Sequence, residues 1–499
     1  MRRHSHRALG SLTRKETSVG FCWRLNLSGN EKAPALTDAR GVGGVIAQDG
    51  FDYQLWDGLA RLPAWLANPA FEQMIFEGLE DLEARFFAPQ APRGQLLERF
   101  QAKAGSLAPA AVREVFETFA RFESAYPRAA RVQSLVTPRL PATVGWLARD
   151  PSRVRKARPF YAPFADIMAA SDAELLTRLV ETYRDQLGTF IAQSVDVSER
   201  NLPDCDAALA TFGVELDRAY PSLEAPQKRV GEAFEALSAL ARRSIGAPLG
   251  GDVLVKTIED ALGKSLPLPR SFPLHVRSDR NEADERCLEI DASAFSGRDG
   301  VFPPPARWAD DLVAPLDRTA RWLRSHAINR VALTGSYRLT TAMIIGWSLR
   351  SATGFELEVP TRDGSWATDD RPAPSDPPQN WRIAEPANLT GDQLVVCVGI
   401  LCDPAADLGQ IAGVPTEAVL GLHLDEPIVS AKAAQAGVAV VKRAVDAAMA
   451  RLRPKGIQLY FAGPAAFAVA LGHRWNAMPP TQLHEFVTSS RSYVATALI

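Results

Sequence analysis

"IQLYFAGPAAFAVALGHRWNAMPPTQLHEF", residues 457–486, reads as a strand ending in Gly463, a short turn, a helix carrying a second glycine, Gly472, and then another strand. Residues 330–359, "RVALTGSYRLTTAMIIGWSLRSATGFELEV", follow the same plan with Gly335 and Gly346. The two glycine spacings differ by two residues, so the repeat is weak as sequence. Its physical content is clearer. A strand–Gly–helix turn lets a ligand phosphate approach the N–H groups of a helix N-terminus. In open α/β sheets, ligands sit at the carboxyl ends of the strands. Two such units face to face make one pocket with two phosphate-facing turns. The same glycines also serve tight turns and close helix packing, and at this point both readings stand. Neither turn carries the Walker lysine or a full GxGxxG, so ATP hydrolysis and ordinary NAD chemistry are poorly supported.

Around these units the chain alternates strands and helices. Strands are expected at "FPLHVRS", "RCLEIDAS", "RVALTG", "FELEVPT", "QLVVCVGI", "EAVLGLHL" and "IQLYFAG". Helices are expected at "ARWADDLVAPLDRTARWLRSH", "LTTAMIIGWSLRSA" and "GVAVVKRAVDAAMARLR". A linker rich in Pro and Asp, "TDDRPAPSDPPQNW" (368–381), divides the region in two. This alternation predicts parallel, Rossmann-like sheets. A junction at 246–251, "GAPLGG", marks a boundary before it.

The N-terminal part has a different texture. "GFDYQLWDGLARLPAWL" (50–66) is helical in period, with Phe51, Leu55, Leu59 and Leu62 near helical spacing. "QMIFEGLEDLEARFF" (73–87) and "LLERFQAKAG" (96–105) read as strands. Residues 107–247 look almost wholly helical, as packing helices with charged outer faces. On the second strand, Gln101 and Lys103 share one face because side chains alternate. An amide and an ammonium side by side suit either a solvated edge strand or an active site.

With 499 residues the chain is too long for one ordinary core, so two or three domains are expected. The net charge of −2 advertises no global affinity for nucleic acid, although a local basic face suffices for it. The five cysteines form no CxxC pair, which argues against structural zinc and a disulfide framework and for a reducing cytoplasm. No apolar run is long enough to span a membrane. The opening "MRRHSHRALGSLTRKE" lacks the apolar core of a secretory signal. Residues 1–45 are expected to be a poorly ordered tail, or in part an over-long start.

The C-terminal half, 268–499, resembles the SAVED domain. The resemblance rests on "LEIDASAF", "PARWADDLVAPL", "VALTGSYRLTTAMIIGWSL" and above all "IQLYFAGPAAFAVALGHRWNAMPPTQLHEF", with its GPAA, GHR and PPxQLxEF elements. It implies two fused CARF-like Rossmann units that bind a cyclic oligonucleotide second messenger in bacterial anti-phage systems. By the same resemblance Gly335, Ser336 and Arg338 of one unit and Gly463, Pro464 and Ala465 of the other line the messenger pocket. Tyr337 and Trp366 are base-stacking candidates by position only.

The N-terminal part resembles the nuclease of CBASS effectors of the CD-NTase-associated type, a PD-(D/E)xK, restriction-endonuclease-like α/β fold. The matching residues are "GFDYQ" (50–54), "EGLED" (77–81) and "QAK" (101–103), where Gln101 stands in place of the commoner carboxylate. The resemblance implies a nuclease domain with a helical extension over 46–247, cutting double-stranded DNA with Mg²⁺. Asp81 and Gln101 are then the metal ligands, since a hard cation accepts carboxylate and amide oxygens alike. Glu77 is a candidate second carboxylate. Lys103 orients or deprotonates water and stabilises the pentavalent phosphate. Gln54 helps position the site from the preceding helix. The expected partners are a cyclic di- or trinucleotide, with the trinucleotide favoured, double-stranded DNA, and further copies of the chain once the ligand is bound.

Two other classes compete. A SAVED sensor could carry a non-nuclease effector such as a protease or an NADase. A non-enzymatic nucleotide-binding protein could use the helical region as a partner platform. A protease is disfavoured, because residues 46–247 contain no histidine to serve a Ser or Cys nucleophile and no HExxH. The separating observation is whether Asp81, Gln101 and Lys103 converge in space.

Overall fold

A computed structural model describes residues 39–499, apart from 159, 162–163, 203, 268, 279–286, 298–299, 363, 374–378 and 412–413. Of the expected tail, residues 1–38 lie outside the described residues, and 39–45 are helical as the start of α1 (Ala39–Ala67).

After α1 come β1 (Phe71–Phe76), β2 (Leu82–Phe87) and β3 (Gln95–Ala102), an antiparallel meander. The chain continues through α2 (Pro109–Ala125), β4 (Ala130–Thr137), α3 (Trp146–Ala157), α4 (Ala165–Tyr183), α5 (Asp185–Ser194) and β5 (Val195–Glu199). Strands β4 and β5 extend the sheet in parallel fashion beyond β3. Helices α6 (Cys205–Ala219) and α7 (Gln227–Arg243) lead to β6 (Leu249–Gly250), which pairs with β1, and to α8 (Gly251–Leu262). The six-stranded order is β5-β4-β3-β2-β1-β6.

The stretch 107–247, expected to be almost wholly helical, contributes two strands, β4 and β5. Strand β4 is central, and its last five residues are all buried. Its buried stretch mixes Leu135 and Val136 with the polar Gln133, Ser134 and Thr137, so neither a two-residue alternation nor an apolar run marks it as a strand. The expected end of this domain at 247 also falls short, because Leu254, Ile258 and Leu262 of α8 pack into the same core as α1 and α7. Leu55, Leu59 and Leu62 of α1 cover one face of the sheet, against Leu82, Phe86 and Phe100. Phe116 of α2, Leu147 of α3 and Leu179 of α4 cover the other, against Leu135 and Val197.

The second sheet holds β7 (Phe272–Arg277), β8 (Leu288–Asp291), β9 (Arg330–Ser336), β10 (Glu356–Thr361) and β11 (Gly364–Ala367). Its order is β11-β10-β9-β7-β8, parallel except for the hairpin strand β11. Between β8 and β9 run α9 (Pro305–Trp308), a π-helical turn (Ala309–Val313) and α10 (Ala314–Ser325), where one continuous helix was expected. Pro315, without an N–H, leaves the regular ladder one donor short at that point. Helix α11 (Leu339–Ser348) follows β9.

The third sheet repeats the scheme with β12 (Arg382–Ala384), β13 (Gln393–Ile400), α12 (Pro404–Ile411), β14 (Val419–Leu424), α13 (Ala431–Leu452), β15 (Gly456–Ala462), α14 (Ala465–Arg474), β16 (Thr481–Val487) and β17 (Ser492–Leu498). Its order is β12-β14-β13-β15-β16-β17, with β12 and β17 antiparallel at the edges. Strand β9 with α11 thus corresponds to β15 with α14.

Helices α11 and α14 pack on each other, and their glycines fix how closely. A Cβ on Gly346 would sit against the Val469 carbonyl and the His473 N–H of α14. A Cβ on Gly472 would sit against the Met343 carbonyl and the Trp347 N–H of α11. The contact is reciprocal, backbone against backbone, so these two glycines serve helix packing. Gly346→Ala is therefore expected to destabilise the fold by about 3 kcal/mol, because overpacking outweighs the gain of roughly 1 kcal/mol that Ala offers inside a helix. Urea denaturation of the variant checks this, and a stability equal to wild type would contradict the close crossing.

The first sheet meets the second through the β2–β3 turn. Phe87 stacks on Trp322 of α10 with centroids 4.6 Å apart. The Gln90 amide donates to the carbonyls of Asp291 and Asp311 and accepts from the Asp291 N–H, and Arg318 donates to the Pro89 carbonyl. No helix among the described residues is long and apolar enough to cross a membrane.

Candidate functional site

Two sites need building: the polar group on the first sheet and the turns at the ends of β9 and β15.

Strands β1 and β2 are joined by a tight turn, Glu77 to Asp81, closed by the Glu77 N–H donating to the Asp81 carbonyl at 3.0 Å. The β2–β3 register pairs Leu82 with Phe100, which sets Asp81 beside the end of β3. Asp81 Oδ2 accepts from Gln101 Nε2 at 2.6 Å, from the Ala102 N–H at 2.8 Å and from Lys103 Nζ at 3.5 Å. Asp81, Gln101 and Lys103 do converge. Asp81 stands in the turn just before β2, where the sequence had suggested the end of one longer strand. The structure turns the amide nitrogen of Gln101, not its oxygen, toward Asp81.

Glu77 joins the group electrostatically. Partial burial pushes its carboxyl up, Asp81 nearby adds to this, and Lys103 and a hydrogen bond from Gln54 pull it back down. Gln54, on α1, is buried, and its Oε1 has no hydrogen-bond partner. The neighbourhood therefore holds two carboxylates, an ammonium and an orphaned amide oxygen on three chain segments: α1, the 77–81 turn and the end of β3. Sequence reasoning missed what lies behind it, the buried Glu80, Glu83, Arg99 and Gln133. One signal was available: Arg99 lies on the same face of β3 as Gln101 and Lys103.

The two glycine turns differ from each other. Gly335 has φ +94°, and a Cβ there would run into the Val276 carbonyl of β7. Gly335, Ser336 and Arg338 are exposed, and Arg338 donates to the Ser296 carbonyl. The N-terminus of α11 is already occupied by a carboxylate of the chain itself: Glu485 of β16 accepts from the Thr340 N–H at 2.7 Å. Burial pushes the Glu485 carboxyl up against the pull of those N–H groups and of Arg338. This is the glutamate of the PPxQLxEF element. The two turns are thus unequal: at the first, a carboxylate of the chain itself meets the N-terminus of α11.

The second turn is open. Pro464 and Ala465 line a cleft of about 710 Å³ with Arg362 and Trp366 from the β10–β11 hairpin and with Lys432 at the start of α13. Arg362 and Lys432 are exposed, and no carboxylate caps α14. Gly463 sits just before this wall, and a Cβ there would press on Phe461 and Ile400. Trp366, a candidate by position, is in the cleft, whereas Tyr337 is half-buried against the core. Gly335, Ser336 and Arg338 are not among the cleft's lining residues. Arg362 and Lys432 were missed because a single cation at a hairpin turn or in the first turn of a helix has no periodicity to mark it.

Residues 315–499 match the model of the SMODS-associated and fused to various effectors sensor domain, SAVED. This chain carries a SAVED domain. The match begins inside α10, while β7 and β8, which precede it, are hydrogen-bonded into the same sheet as β9. The chain is similar over most of its length to CD-NTase-associated protein 4 of Moraxella osloensis, at 23% identity over 473 residues, 93% of this chain and 98% of that protein. The protein of that name from an Acinetobacter species is 23% identical over 482 residues, with the same coverage. Among solved structures, the Acinetobacter baumannii Cap4 SAVED/CARF-domain receptor with the cyclic trinucleotide 2'3'3'-cAAA superposes with a TM-score of 0.70 at 20% identity, over 90% of this chain and 98% of that one. The Moraxella osloensis Cap4 receptor gives 0.69 at 21%, over 91% and 100%. The fold held in common therefore takes in the N-terminal sheet as well as the SAVED domain.

Proposed function

We propose that this chain is a cytoplasmic CBASS effector in which a cyclic trinucleotide bound by the SAVED domain activates metal-dependent hydrolysis of double-stranded DNA by the N-terminal domain. The observation that carries the reading is the convergence of Asp81, Gln101 and Lys103 at the edge of one turn. Solvated residues on separate elements would have favoured a binding protein.

The residues present fit a hard divalent cation. Asp81, Glu77 and the orphaned Gln54 Oε1 are oxygen donors of the kind Mg²⁺ takes, and Gln101 offers a fourth oxygen if its amide rotates. Among the described residues no three acidic, His or Cys side chains are grouped so as to hold a metal ion by themselves. Bound there, Mg²⁺ supplies charge neutralisation at the phosphate and a more acidic water. The chain's own part is definite. Lys103 presents a cation to the scissile phosphate and holds the attacking water. Asp81 orients Lys103, and the Ala102 N–H fixes Asp81.

In the sensor, the open cleft at α14 receives the messenger. Arg362 and Lys432 meet its phosphates, and Trp366 offers a face for a base. The relatives' complexes with cyclic trinucleotides favour that ring size. Lys432→Ala is expected to weaken cyclic tri-AMP binding about tenfold and Trp366→Ala by roughly tenfold or more, measured by calorimetry. Unchanged affinity in both would place the ligand elsewhere. Incubating the protein and plasmid DNA with Mg²⁺ and a panel of cyclic di- and trinucleotides tests the function itself. Messenger binding without cleavage would leave a sensor with a different effector.

A further inference from the structure

Glu80 and Arg99 form an ion pair behind the Asp81 site. Arg99 Nη2 donates to Glu80 Oε1 at 2.6 Å, and the two residues are only 2% and 8% exposed, respectively. Arg99 also donates to Gln133 Oε1 at 2.8 Å, and its guanidinium lies 3.6 Å from the centre of the Phe122 ring. It is thus held on three sides. Glu80 immediately precedes Asp81, so whatever fixes Glu80 fixes the peptide that carries the Asp81 carboxylate. The other side of the turn is tied down as well, by the Leu79 N–H donating to the buried Glu83 at 2.7 Å.

Stability does not account for this pair. Both groups lose their hydration on burial, a cost that their mutual attraction must offset. Replacing a buried ion pair by apolar residues of similar volume is often neutral or stabilising. What a bonded pair supplies and an apolar contact does not is a fixed direction and distance. A five-residue turn that must place two carboxylates needs that.

We infer that Glu80 and Arg99 are positioning residues for the proposed hydrolysis: they lock the 77–81 turn so that Asp81 meets Gln101, Ala102 and Lys103 with Glu77 alongside. The inference rests on the nuclease reading. Neither residue touches substrate. Both act through Asp81, and a displacement of 1 Å at such a site costs about 100-fold in rate.

The test uses the full-length double variant Glu80→Met/Arg99→Met beside Glu80→Gln, which still accepts from Arg99. With cyclic tri-AMP, Mg²⁺ and plasmid DNA, the double variant is expected to melt within a few degrees of wild type. Its kcat falls about 100-fold while KM for DNA stays within about twofold. Glu80→Gln keeps kcat within about fivefold, because the directed bond survives. Calorimetric titration of Mn²⁺ alone shows about tenfold weaker binding to the double variant. Wild-type kcat in the double variant overturns the inference, as does a loss in Glu80→Gln equal to that in the double. A wild-type protein that binds the messenger and cuts nothing overturns the nuclease reading instead. In that case unchanged Mn²⁺ affinity in the double variant overturns the positioning role as well.

Discussion

Lys103→Ala and Asp81→Ala are each expected to reduce the proposed messenger-activated DNA cleavage by roughly 1,000-fold or more and to leave messenger binding unchanged. The size follows from the site. Lys103 is the only cation that hydrogen-bonds Asp81 among the described residues, and in the proposed mechanism it meets the negative charge that develops on the phosphate. Removing one preorganised donor to a developing oxyanion costs about 100- to 1,000-fold by itself. Asp81→Ala removes the acceptor that Gln101, Ala102 and Lys103 share, and with it the chief carboxylate for the ion. The independence from messenger binding follows from the architecture. Asp81 and Lys103 lie on the first sheet, while the cleft with Arg362 and Lys432 is built by the second and third. Loss of messenger affinity in either variant at unchanged stability would contradict the division of labour.

Full-length protein is expected to be silent without a cyclic oligonucleotide and to self-associate when it is bound. An unregulated DNA nuclease would destroy its own cell, so the resting form must be inactive. Moving a two-state protein from about 1% to about 99% active requires a ligand that binds the active form about 10,000-fold more tightly. The helix crossing gives little room for such a change inside the SAVED domain. Gly346 and Gly472 already press the backbones of α11 and α14 together, so the two Rossmann units do not turn freely on each other. On the proposed reading the ligand acts at the surface elements that wall the cleft, the β10–β11 hairpin with Arg362 and Trp366 and the approach to α13 with Lys432. Ordering these would complete a docking surface for the next copy. A head-to-tail contact of that kind gives open assemblies where its rotation does not close, and adjacent nuclease domains then cut both strands of a duplex. Mass photometry with and without cyclic tri-AMP, run beside plasmid cleavage, checks this. Full cleavage by a species that stays monomeric would contradict the assembly step.

The parallel sheets of the C-terminal half were legible because each strand is a short apolar run punctuated by Gly or Pro and followed by an amphipathic helix. The glycine repeat was legible for the same reason, although its meaning divided on inspection. Gly346 and Gly472 pack helices, whereas Gly335 and Gly463 end strands at turns of unequal chemistry. Nothing local could reveal that Glu485, about 145 residues away in sequence, fills the first turn, since the contact exists only once β16 lies beside α11. Strand β4 was hidden because the buried Gln133, Ser134 and Thr137 break any apolar pattern around Leu135 and Val136. In the N-terminal domain the alternation along β3 placed Gln101 and Lys103 correctly on one face. Asp81 fell at a turn rather than a strand end because Glu77, at φ +53°, breaks what reads as one continuous strand into a hairpin.

The most direct test of the central claim is plasmid cleavage by the wild-type chain and by Lys103→Ala, each with Mg²⁺ and with or without cyclic tri-AMP, alongside calorimetric binding of the same ligand. The account predicts cutting only in wild type with both ion and messenger present, and equal messenger affinity in the two proteins. Cleavage by wild type at the same rate without messenger, or by Lys103→Ala with it, would contradict it.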